Sequence, residues 1–209
     1  MSERVVVIDY GAGNLRSVVR AIVEAGVTPV VSSAARDVER ASAVVMPGVG
    51  AAADTMGNLR QRGLVEPVRE YIASGRPFLG VCMGLQALMT VSEEGGEHRC
   101  LDVIPGRVVR FGAGLKVPHM GWNTVRQLRP HPVFEGIEDE AYFYFVHSYY
   151  VTPVDHCLVV GATEYGVSIP AVLAIGAVVA TQFHPEKSGP AGLRFYRNFL
   201  HHARLPARV

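Results

Sequence analysis

Three cysteines, Cys82, Cys100 and Cys157, are too few and too irregularly spaced to make a disulfide framework or a metal centre in a chain of 209 residues. A dominant sign of charge is missing as well: 20 Lys and Arg against 19 Asp and Glu leave a formal charge of +1. That balance offers no attractive field to nucleic acid or to an anionic membrane, and the small basic group of Arg194, Arg197 and Arg204 fits the solvated face of a closing helix. Long hydrophobic runs are also absent. The longest, Ala171 to Ala180, falls well short of the ~18–20 residues of a membrane-crossing helix. The opening Met-Ser-Glu-Arg runs straight into Val5–Ile8, without the apolar core and small-residue cleavage site of a secretory signal. These absences predict a cytoplasmic chain with reduced thiols and no metal. With no repeat, low-complexity tract or linker in view, they also predict one domain over residues 1–209.

What is present is a core-forming composition, 49% hydrophobic and 19% charged, ordinary for a compact fold. Val5–Ile8, Val27–Val31, Ala43–Met46 and Pro77–Gly80 read as strands buried on both faces. Leu15–Ala25 and Leu64–Ser74 carry apolar residues at helical spacing and stop at Gly26 and Gly75. Strands alternating with helices predict an α/β fold: a doubly wound, mostly parallel central sheet flanked by helices, with ligands at the carboxyl ends of the strands. Later, Tyr142–Tyr150, Leu158–Gly161 and Ala171–Phe183 (broken at Gly176) predict an antiparallel extension, closed by a helix over Ala191–Ala203.

Gly80-Val81-Cys82-Met83-Gly84 stands between a predicted strand and the apolar helical stretch Leu85–Met89. It is a nucleophile-elbow pattern with Cys in place of Ser. Glycines on either side permit the sharp turn that exposes the central side chain at a helix start, where a thiolate is favoured. A cysteine nucleophile needs a base, and the base needs an orienting group. His184 emerges at the end of the apolar run, and Glu186 lies two residues on, across Pro185. Pro47-Gly48-Val49-Gly50 follows another strand, where adjacent glycines let peptide N–H groups turn toward an anion. Asp9–Asn14 starts like a dinucleotide fingerprint, but its third glycine position is Arg16. With no phosphate loop elsewhere, no nucleotide cofactor is expected.

Gly80–Gln86 and Gln182–Glu186 together resemble the nucleophile and base segments of the class I (triad-type) glutamine amidotransferases. Asp9–Asn14, Pro47–Gly50, Pro118–Asn123, Tyr144–Tyr149 and His184–Ser188 resemble one branch of that family, the glutaminases that serve a cyclase of histidine biosynthesis. The resemblance runs from about Val5 to Leu200. It implies that Cys82 attacks the glutamine amide, with His184 as acid and base and Glu186 holding it. It implies oxyanion and substrate contacts from Gly48, Val49, Gly50, Met83 and Gln86. It further implies that Asn14, His119, Trp122, Tyr144 and Lys187 face the partner cyclase, an eight-stranded β/α barrel, and that no cofactor is held. The residues alone leave other readings open: an ammonia donor to another synthase, a stand-alone γ-glutamyl hydrolase, or a non-enzymatic thiol module.

Overall fold

The computed structural model describes residues 4–11 and 13–203. Ala12 of the Asp9–Asn14 segment, Arg204 of the basic group and residues 1–3 of the opening lie outside the described residues.

The first half alternates as the sequence predicts. In chain order it holds β1 (Val5–Ile8), α1 (Leu15–Glu24), β2 (Val30–Ser32), α2 (Ala35–Glu39), β3 (Ala43–Met46), α3 (Ala52–Gln61), α4 (Val65–Ala73), β4 (Phe78–Val81) and α5 (Met83–Gln86). Then come β5 (Met89–Ser92), β6 (His98–Arg99), β7 (Ile104–Arg110), β8 (His119–Gln127), β9 (Ala141–His147), β10 (Tyr149–Pro153), β11 (Val159–Glu164), β12 (Ser168–Ile175), β13 (Val178–Thr181) and α6 (Gly189–Ala203). The main sheet has nine strands in the order β2-β1-β3-β4-β13-β12-β11-β8-β9, and a second sheet has four, β10-β7-β5-β6. Pairing is parallel from β2 through β13 and antiparallel from β13 to β9.

The central strands are apolar at every position because the sheet is covered on both sides. Val6, Ile8, Val44, Met46 and Phe78 join one core cluster, beneath α2, α3, α4 and the small sheet. Their neighbours Val5, Val7, Ala43, Val45, Leu79 and Val81 point the other way, into a cluster with α1 and α6. This is the period of two in a strand, expressed as two cores.

The segment read as a doubly buried strand over Val27–Val31 is a short edge strand instead: β2 covers only Val30–Ser32, pairs with β1 alone among the described residues, and leaves Val30 and Val31 37% and 43% exposed. Other segments differ as well. The stretch Leu85–Met89 is not a continuing helix: α5 ends at Gln86 and Met89 opens β5. The aromatic run Tyr142–Tyr150, read as part of an antiparallel extension, is divided: the chain breaks at Ser148 and sends β9 and β10 into different sheets. The helix α3, for which the sequence reading named no element, carries Gly57 and a polar surface without a clear helical period. The apolar turn at Ile175-Gly176 lies at the amino end of β13, across the sheet from the strand ends that matter below.

Candidate active site

Parallel pairing of β4 with β13 matches Val81 to Thr181, and Cys82 N–H donates to the Thr181 carbonyl at 2.7 Å. The segments leaving these neighbouring strands carry Cys82 and, three residues beyond Thr181, His184. Cys82 has φ 53° and ψ −102°, a left-handed conformation rare outside glycine. Strain of this kind costs about 1–3 kcal/mol. Burial of Leu85 and Leu88, both at 0% exposure, offsets it at about 1.5–3 kcal/mol each. The turn is tight because its glycines touch backbone: a Cβ at Gly80 would meet the Gly84 carbonyl oxygen at 2.7 Å, and a Cβ at Gly84 would run into the Met46 carbonyl. The helix after Cys82 is a single turn, so any help for a thiolate comes from its first N–H groups rather than from a long macrodipole.

His184 Nδ1 shares a hydrogen bond with Glu186 Oε1 at 2.8 Å, and both side chains are almost fully enclosed. Glu186 can only accept there, so Nδ1 carries a proton and Nε2 is the working nitrogen. Nε2 is buried with no hydrogen-bond partner among the described residues, and it belongs to the ring that lines the cavity with Cys82. Burial opposes the imidazolium, but the charge of Cys82 and then of Glu186 outweighs it and raises His184 from its ordinary 6.5 to about 10.

Because this folded-state value lies above the ordinary one, its stabilisation is complete below pH 6.5 and is lost as pH rises through about 10. The denaturation midpoint of wild type should therefore exceed that of His184→Asn by a margin that narrows from pH 6.5 to 10. A margin constant across that range would show that the imidazolium is not stabilised.

Asn14 occupies an unexpected place. It precedes α1 with φ 70°, and its Nδ2 donates to Glu186 Oε1 at 2.6 Å. Its side chain is thus engaged with the Glu186 carboxylate, which also holds His184.

Cys82, His184, Val49, Gly50, Met83 and Gln86 line one cavity of about 230 Å³, joined by Glu94, Val146, His147, Ser148 and Tyr149. That is below the usual size for drug-sized ligands and suits a single amino acid. Gln86 Nε2 donates to the Tyr149 carbonyl at 3.0 Å and to Gln182 Oε1 at 3.1 Å, while Gln182 Nε2 reaches Cys82 Sγ at 3.7 Å. The donors of Gln86 are thus committed and its oxygen is left for the cavity. In the glycine loop, Gly48 is clamped: a Cβ there would meet Met83 Cβ at 2.5 Å and Tyr10 Oη at 2.6 Å. Gly50, at φ +100°, has nothing within 4 Å of that position.

Sequence reasoning missed Glu94, which lies in the glutamate- and glycine-rich segment Glu93–Glu97 with no motif to mark it. Its Oε2 accepts from Ala52 N–H at 2.7 Å. It also missed the role of His147, whose Nδ1–H donates to the Tyr149 carbonyl at 2.8 Å. Nε2 of His147 must then accept from His119 Nδ1–H at 2.9 Å, and His119 Nε2 from Asn123 at 3.3 Å. Burial lowers His147 to about 3 and His119 to about 4, so this relay stays neutral at working pH and braces the cavity wall.

His119 is consequently not on the surface with Trp122. It is buried, stacked with Phe145 and Tyr165, because residues three apart in a strand point to opposite faces. Met120, Trp122 and Tyr142 are 55–62% exposed. Trp122 pairs with Tyr144 across β8 and β9 with ring centroids 6.1 Å apart, and Lys187 Nζ lies 5.7 Å from the Tyr144 ring. This patch touches the site through backbone: His184 N–H donates to the Tyr144 carbonyl at 2.9 Å and Tyr144 N–H to Ser188 Oγ at 3.0 Å. Among the described residues there is no cluster of His, Cys, Asp and Glu that could hold a metal, and no helix is long and apolar enough to cross a membrane.

The family described as glutamine amidotransferase class-I matches residues 6–203. An imidazole glycerol phosphate synthase subunit HisH of Desulfitobacterium hafniense is 50% identical over 193 residues, 92% of each chain. Proteins of the same name from Herpetosiphon aurantiacus and Syntrophotalea carbinolica are 51% and 49% identical over 94% and 93% of this chain and 93% and 98% of their own. Among solved structures, a glutamine amidotransferase aligns with TM-score 0.76 over 96% of this chain and 99% of its own at 21% identity. Another, from Thermotoga maritima, aligns with TM-score 0.64 over 97% and 84% at 19% identity, and both likenesses concern the fold. On the family match and on relatives half identical over almost their whole length, the chain belongs to the class-I glutamine amidotransferases.

Proposed function

We propose that the chain is the glutaminase subunit of imidazole glycerol phosphate synthase, releasing ammonia from glutamine for a cyclase subunit of histidine biosynthesis. The observation that carries the chemistry is the convergence of a strained thiol and an unpartnered His184 Nε2 on one amino-acid-sized cavity. The pathway rests on relatives about 50% identical that bear that subunit's name.

In this reading Cys82 Sγ attacks the side-chain carbonyl of glutamine. The developing oxyanion is met by N–H groups of the Gly48–Gly50 loop and by the amide of Met83. His184, held protonated against Cys82 and Glu186, gives its Nε2 proton to the departing ammonia. It then takes a proton from the water that hydrolyses the glutamyl thioester. Glu186 keeps the ring in the tautomer both steps require. Gln86 supports the substrate through its free oxygen, and Glu94 is the cavity carboxylate suited to the substrate ammonium.

The exposed Trp122 and Lys187 and the half-buried Tyr144 between them fit the face that meets the cyclase, since aromatics dominate protein interfaces. Gel filtration with a histidine-pathway cyclase should give a stable heterodimer. Trp122→Ala should weaken it by at least about 2 kcal/mol, as an interface anchor does, without unfolding the chain. No complex with the wild type would move the protein to another ammonia-dependent synthase.

A further inference from the structure

The two oxygens of Glu186 have different surroundings. Oε1 accepts from His184 Nδ1 at 2.8 Å and from Asn14 Nδ2 at 2.6 Å. Oε2 is fully enclosed and has no hydrogen-bond partner among the described residues. The same holds for the hydroxyl of Tyr196, a residue at 0% exposure. Tyr196 belongs to α6, and Gly192 lies one turn earlier on the same helix face. A side chain at Gly192 would collide with the Pro185 carbonyl, so this face rests directly on the turn that carries Glu186.

Burial, and then the neighbouring Glu186 carboxylate, hold the Tyr196 phenol well above its ordinary range. The phenol is therefore a donor at every working pH. A lone buried hydroxyl and a half-satisfied buried carboxylate are each costly, whereas side by side they are a donor and its acceptor. The catalytic steps above make no use of Tyr196.

We propose that Tyr196 is a positioning residue of the site, its hydroxyl donating to Glu186 Oε2 and so fixing the carboxylate that orients His184. With Oε1 alone engaged, the carboxylate can swing about its last bond each time His184 gains or loses a proton. With both oxygens held, between α1 and α6, it keeps one orientation through the cycle. This rests on the glutaminase reading, because only there does the His184 tautomer set the rate.

Tyr196→Phe removes one oxygen and keeps the ring, so the core packing survives. If the hydroxyl is bonded to Glu186, the heat-denaturation midpoint of the chain falls. If it is merely an enclosed orphan, the midpoint is unchanged or rises, and the proposal is overturned. In the presence of the cyclase subunit, kcat for glutamate release should drop about tenfold while KM for glutamine stays within about twofold. In a Glu186→Ala background the phenylalanine should have no further effect on kcat. A full, additive loss there would place the role of Tyr196 elsewhere and overturn the assignment. If the wild-type pair releases no glutamate, the glutaminase reading fails, and the midpoint still decides whether the bond exists.

Discussion

Cys82→Ser is expected to remove glutamine hydrolysis while leaving the fold and the cyclase complex intact. Loss of a nucleophile that acts in concert with its base costs about 10⁴–10⁶-fold in kcat. Serine is nearly isosteric, and it inherits a backbone already held at φ 53° by Gly80, Gly84 and the Thr181 carbonyl. What changes is the charge: without a thiolate, His184 loses its strongest favourable neighbour and the hydroxyl has no comparably strong base. The measurement is glutamate release, with circular dichroism and gel filtration as controls. Activity retained at even a hundredth of wild type would refute Cys82 as nucleophile.

The second large effect concerns the cyclase. The chain alone should release glutamate slowly, and addition of the cyclase with its ribonucleotide ligand should accelerate it about 10²–10³-fold, the worth of one oxyanion donor. The reasoning lies in the Pro47–Gly50 loop. Gly48 packs so closely that a Cβ there would meet Met83 and Tyr10, whose hydroxyl is itself anchored on the Pro47 carbonyl at 2.8 Å. Gly50 is exposed, no described residue lies within 4 Å of where its Cβ would be, and its φ is one reserved for glycine, so the switch is expected in the peptides beyond Gly48. A donor turned away in the free chain and turned in by the partner would act as the switch. Full activity without the cyclase would dispose of that switch and describe a stand-alone hydrolase.

The parts of the site legible in sequence were those whose logic is local. The cysteine elbow needs glycines two residues to either side, and the His184–Glu186 contact needs a spacing of two, so both can be read from short segments. The contact between Asn14 and Glu186 spans 172 residues and carries no local mark. Tyr196 lies at an apolar position of an amphipathic helix, and nothing in the neighbouring sequence marks its hydroxyl. His119 illustrates a different failure. Its distance of three from Trp122 in a strand already put the two on opposite faces, and motif resemblance overrode that parity. In the fold, Val5–Ile8 and Ala43–Met46 were readable as doubly buried strands from their unbroken apolar runs, whereas Val27–Val31 misled because Val30 and Val31 lie on a half-exposed edge strand. The four-stranded sheet was not readable: β7 begins Ile-Pro-Gly, which reads as a turn, and its alternating burial appears only once β5 and β10 flank it.

The position of β13 has a consequence for how the molecule is made. It is the last strand among the described residues, yet it occupies the middle of the nine, hydrogen-bonded to β4 on one side and β12 on the other. As the polypeptide leaves the ribosome, Cys82 is present long before the strand that anchors its amide to Thr181 and brings His184 beside it. In a nascent or truncated chain Cys82 therefore has neither the Thr181 carbonyl nor His184 beside it, and the pair is assembled only when the closing strand enters between the two halves of the sheet. On the glutaminase reading, assembly of the fold and arming of the nucleophile are therefore a single event.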